Sequence, residues 1–175
     1  MRTRTLVLLA AVVTVIPIGL GRVAQGGRAP SRAPAMSIVG DQTSPEARAL
    51  TLLRRWDGHR AAAWAAGDVG RLTALYAPGS RTGRRDVADL RRWTARGLRV
   101  TGLRQQVASF RVVGRRASSV TAVVVDRTVD GIAVGAGRRT AVPTSAWAGH
   151  RIRLVRVGPR WRVAEVWAAQ AQPAR

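Results

Sequence analysis

The stretch Trp64-Ala-Ala-Gly67-Asp68-Val-Gly-Arg-Leu72-Thr-Ala-Leu75-Tyr76-Ala-Pro78-Gly79-Ser80 holds a helix end, a second short helix and a turn. Gly67 can take the left-handed conformation that closes a helix, and Asp68 can cap the next one. Val69 to Tyr76 then places Leu72, Leu75 and Tyr76 on an apolar side, and Ala77-Pro78-Gly79-Ser80 is turn chemistry. Upstream, Ser44-Pro45-Glu46 combines an N-cap, a first-turn proline and an acid. A long helix should follow it, burying a stripe of Leu50, Leu53, Trp56 and Trp64 with Ala61 beside it, while Asp57 and Arg60 also fall at helical spacing. Downstream, residues 81–85 read as a polar loop or short strand. Asp86 reads as the cap of a third helix that buries Val87, Leu90 and Trp93 and ends at Gly97.

From Leu98 the apolar period changes to two, which predicts strands over 98–113, 119–129, 138–148, 151–157 and 161–168. Gly114, Asp130-Gly131, Gly149 and Gly158-Pro159 separate them, and the last two strands should form a hairpin. Pro143 marks an edge or a bulge. Val123-Val124-Val125 is apolar on both faces, as a central strand would be. Gly135-Ala136-Gly137 lies between strands and lacks the third glycine of a dinucleotide loop, so it reads as a hairpin turn. Helices followed by a run of antiparallel strands make an α+β layout, with three helices packed on one face of a curved sheet.

The segments Leu53-Arg-Arg-Trp56, Trp64 to Leu72, Leu75 to Gly79 and the closing Arg153 to Val163 together resemble the nuclear transport factor 2-like superfamily, which includes the SnoaL-like domains. The resemblance runs from about Pro45 to Trp167 and suggests an exported member of actinobacterial type. It implies a cystatin-like cone with one open end. Such cones host isomerases, cyclases, epoxide hydrolases, dehydratases and domains that only bind. Dehydratases of the superfamily use a His–Asp pair inside the cone. Neither His59, read as a surface residue, nor His150, read as part of a turn, matches that position.

Beyond the domain, Met1-Arg-Thr-Arg4 precedes a nearly unbroken apolar run from Leu6 to Leu20. Residues 1–22 are therefore expected to be a signal anchor, which would leave a single-pass protein in the cell membrane with its domain outside the cytoplasm. A cleaved signal peptide and a secreted form is the alternative. Residues 23–43, with Gly26-Gly27, Pro30 and Pro34, read as a flexible linker, 44–168 as the folded domain and 169–175 as a disordered tail.

Among 175 residues, 30 are basic, all of them arginine, against 9 acids, for a net charge of +21. The chain has no cysteine, lysine or asparagine. Disulfides, thiolate chemistry, a lysine-based phosphate loop and N-glycosylation are thereby excluded. The paired arginines are spread over the whole domain, so no nucleic-acid partner is expected; anionic lipid or a wall polymer would be attracted by the charge. Two histidines without cysteine make no structural zinc site, and neither metal nor cofactor is expected.

The candidate chemistry rests on Glu165, Asp126 and Tyr76. Glu165 shares a strand face with Trp161, Val163 and Trp167, and Asp126 shares one with Val120, Ala122 and Val124. A carboxylate in an apolar cavity has a raised pKa and can move a proton. Tyr76, the only tyrosine, could donate to an oxyanion. The first reading is nonetheless a non-catalytic binding domain with a basic surface at the cell envelope, its partner a small molecule or an envelope protein. The second is an isomerase, cyclase or hydrolase using those three residues. The apolar Val123–Val125 run would also let two copies pair through the sheet.

Overall fold

The computed structural model describes residues 44–169. Residues 1–22 and 23–43, and the tail from 170 onward, lie outside the described residues, and so do the anchor, linker and tail expected there. Among the described residues no helix is long and apolar enough to cross a membrane.

Helix α1 (Pro45–Ala66) starts and stops where its signals lie. Ser44 Oγ accepts from the Ala47 amide at 3.0 Å, and Gly67 closes the helix at φ 68°. Asp68 caps α2 (Val69–Thr73) by accepting from the Arg71 amide. Helix α3 (Arg81–Ala95) begins five residues before the expected cap. Ser80, not Asp86, is its N-cap, accepting from the Gly83 amide at 2.9 Å. Asp86 lies inside the helix and is buried. An acid at the head of an apolar pattern looks like a cap, but this one has buried partners on other elements.

Seven strands follow: β1 (Arg99–Thr101), β2 (Arg104–Arg116), β3 (Ser119–Val129), β4 (Ile132–Gly135), β5 (Arg138–Ala141), β6 (Ala148–Val157) and β7 (Arg160–Ala168). They form an antiparallel sheet of order β2-β3-β6-β7 and a smaller one of order β1-β4-β5. The expected strand over 98–113 is therefore two strands in two sheets. It breaks at Gly102, whose φ of 72° turns the chain and whose missing side chain leaves room for the Asp130 carbonyl. The strand expected over 138–148 stops at Ala141, before Pro143, while β6 starts at Ala148, earlier than expected. Strand β4 occupies a stretch where the periodicity predicts none. Both expected hairpin turns form, Ala136-Gly137 between β4 and β5 and Gly158-Pro159 between β6 and β7.

One face of the large sheet is covered by the helices. On β3 the buried Val120, Ala122 and Val124 alternate with half-exposed neighbours, so Val123 and Val125 are not doubly covered. Val100, Ile152, Leu154 and Val163 join Leu53, Trp64, Leu72, Tyr76 and Leu90 in one core. The β7 edge is closed by the turn after α2, where the Ala77 amide donates to the Val163 carbonyl and the Val163 amide to the Leu75 carbonyl. The opposite edge, β2, carries two irregularities, between Val107 and Ser109 and between Val112 and Gly114.

Candidate active site

Leu53, Asp57, Arg60 and Trp64 recur at intervals of four, three and four along α1, so the helix that buries Leu53 and Trp64 turns an acid and a guanidinium the same way. Arg60 meets its counter-charge on α3. Its Nε and Nη2 donate to the two carboxylate oxygens of Asp86 at 2.7 and 2.6 Å. Trp64 Nε1 donates to the same carboxylate at 3.1 Å, and the Tyr76 hydroxyl donates to it at 2.6 Å. Burial works against the Arg60 charge, but Asp86 outweighs it and holds the guanidinium above its usual range. Burial, against the pull of Arg60 and with the push of Asp86, holds the Tyr76 phenol far above its usual range, so it stays a donor. Four donor contacts on one carboxylate make Asp86 the joint between α1, α3 and the turn after α2.

Asp57, one turn earlier, has no such partner. Burial pushes its carboxyl up to about 7; Arg60 opposes this and Asp126 adds to it. Asp126 stands on the helix-facing side of β3, and the neighbouring strand β6 brings His150 beside it, Nε2 to Oδ1 at 3.3 Å. The side chains of His150 and Asp126 are only 16 % and 15 % exposed. The contact is an ion pair whenever the imidazole is protonated. His150 is thus an inward strand residue, not the turn residue its neighbour Gly149 suggested. Asp57 lines an open cleft of about 220 Å³, with Arg54 and Arg60 of α1 on one wall and Leu103, Arg104 and Gln105 on the other.

The structure therefore separates the three residues singled out from the sequence. Asp126 lies by His150 and within electrostatic reach of Asp57. The Tyr76 hydroxyl is engaged with Asp86. Glu165 sits at the β7 edge and caps α3, accepting from the Arg81 amide at 3.0 Å, from the Thr82 amide at 2.8 Å and from the Thr82 hydroxyl. Its partial burial alone would raise the carboxyl, but those hydrogen bonds hold it below its usual range. His59 is exposed on α1. Asp57 was not singled out, although an acid spaced four from Leu53 and seven from Trp64 on a helix with a buried face was a readable signal. Among the described residues no group of three His, Cys, Asp or Glu is placed to hold a metal ion.

No protein-family model and no curated protein matches the chain. Solved structures are similar to it over part of the chain. The chloroplast protein ARC6 intermembrane-space region is similar over 71 % of this chain and 96 % of that one, with 11 % identity and a TM-score of 0.49. Aln2 from a Streptomyces species is similar over 70 % of this chain and 89 % of its own, with 17 % identity and a TM-score of 0.48. A Catenulispora acidiphila structure in complex with S-DNPA covers 69 % of this chain and 92 % of its own, with 16 % identity and a TM-score of 0.47. Likenesses of this size identify neither a family nor an activity.

Proposed function

We propose that the domain is a cone of the nuclear transport factor 2-like kind that admits a small anionic organic molecule to the α1 cleft and moves a proton on it. The observation that carries this reading is the placement of Asp57 in the cleft with the Asp126–His150 pair as its neighbour. A carboxyl that titrates near neutrality can take a proton from an acidified C–H or O–H and return it to another atom of the same molecule. Arg54 would attract the anionic end of the substrate. Asp126 and His150 would set the field in which Asp57 exchanges its proton. The apolar opening of the chain supports a place outside the cytoplasm, anchored or secreted.

The test is deuterium exchange in heavy water, read by NMR over a panel of small carbonyl compounds that carry a carboxylate. The wild-type chain should wash label into one of them, and Asp57→Asn should slow this about 10²–10⁴-fold, the usual worth of a positioned acid–base group. Equal exchange by both proteins would refute the reading. Saturable binding of a panel member with no exchange would instead favour the binding-only domain expected from the sequence.

A further inference from the structure

The other face of the large sheet, which no described helix covers, has a composition of its own. Its register runs Arg111–Val123–Arg151–Trp167 straight across all four strands. Next to that row Arg153 pairs with Thr121, and two residues along β3 in the other direction is Val125. At the rim Arg127 lies over the Trp147 ring, 4.5 Å from guanidinium carbon to centroid. The large apolar side chains that stay exposed among the described residues are Trp147 (47 %), Trp167 (44 %) and Val113 (39 %), and all three belong to this face or its rim. Arg111, Arg151 and Arg153 are exposed with them. The carboxylate that the register brings nearest, Glu165, is committed to the α3 N-terminus.

We infer that this sheet face docks flat onto an anionic lipid bilayer. Arginine pairs with lipid phosphates in a forked geometry, and tryptophan rings settle at the headgroup level, one side apolar and the other wet. Both residue types must be presented on one surface for this, and the Arg111–Trp167 row with Trp147 does so. A second copy of the chain is a poorer occupant, because face-to-face pairing sets Arg111, Arg151 and Arg153 against their own kind. A soluble acidic polymer would satisfy the arginines but leave Trp147, Trp167 and Val113 in water.

The experiment must read the face and not the chain, since the apolar run at residues 6–20 could hold the protein on vesicles of any composition. Acrylamide quenching of tryptophan emission does this, because Trp147 and Trp167 are the exposed indoles whereas Trp64 is buried. Full-length protein is mixed with vesicles containing about one-third phosphatidylglycerol, or with pure phosphatidylcholine. Shielding is expected on the anionic vesicles alone and should vanish when salt shortens the Debye length to about 3 Å. Each arginine at an anionic surface favours binding about fivefold, so Arg111→Gln/Arg151→Gln/Arg153→Gln should need on the order of 100-fold more anionic lipid for the same shielding. Trp147→Phe/Trp167→Phe should remove most of the shielded signal, which assigns that signal to the two indoles of this face. The inference is overturned if both lipids shield equally or not at all, or if the triple variant behaves as wild type. Equal shielding by polyglutamate, or shielding that grows with protein concentration without vesicles, would also overturn it by assigning the face to a soluble polyanion or a second copy. None of these outcomes depends on Asp57 chemistry.

Discussion

Asp57 and Asp86 are both acids packed near Arg60, and their surroundings treat them in opposite ways. Asp86 collects donors from Arg60, Trp64 and Tyr76. Removing it strands a buried guanidinium, so Asp86→Ala should cost about 3–5 kcal/mol, against about 1–2 kcal/mol for Tyr76→Phe, which deletes one hydrogen bond. Urea melts would measure both. Asp57 is disfavoured as an anion. Its carboxyl moves from an ordinary 3.8 to about 7 on folding, so the folded chain holds a proton that the unfolded chain releases in that window. Stability contributed by this proton is present below the unfolded pKa and is lost as pH rises through the folded one. Asp57→Asn should therefore gain roughly 4 °C in Tm above pH 7, and the gain should fade toward pH 4, as thermal melts across pH would show. Asp126 was legible because an acid in a β-alternation declares its face. The Asp57 side chain was harder to read, since Trp56 beside it competes for the same turn of helix. His150 was hidden by Gly149, a turn former that here continues the strand.

At the scale of elements, α3 shows where local signals stop. Its start is capped twice, locally by Ser80 on the Gly83 amide and from a distance by Glu165, 84 residues from Arg81 in sequence, and no local pattern reports the second cap. Glu165 contributes stability above its unfolded pKa that is lost as pH falls through its lowered folded value. Glu165→Gln should cost about 1 kcal/mol at neutral pH, flatten the acid limb of the stability curve and leave proton exchange in the cleft unchanged. Gly83 lets α3 approach Tyr76, and a Cβ there would meet the ring carbon Cγ at 2.5 Å. Glycine to alanine adds about 1 kcal/mol of helix propensity, but overpacking costs about 1–3 kcal/mol, so Gly83→Ala should lower the urea midpoint. The starts of α1 and α2, the two hairpin turns and β3 were readable because their caps, turn residues and periodicity are local. The division into two sheets was not, because it depends on Gly102 passing close to Asp130.

For the molecule as a whole, a net charge of +21 on 175 residues means that folding compresses like charges together. The exposed Arg92–Asp89 and Arg104–Asp130 pairs offset little of this. Added salt should raise Tm, most steeply while the Debye length falls from about 30 to about 10 Å, and a melt series in sodium chloride would check it. The two irregularities along β2 have a further consequence. A straight, unpaired border strand invites another chain to register against it and seed a fibril. Here the border is bent twice, its Val112 amide is turned to Glu46 at 3.4 Å, and arginine recurs at 104, 111, 115 and 116. The opposite border is already roofed by the turn after α2. This protein should stay monodisperse at concentrations where a sheet with plain borders would template amyloid.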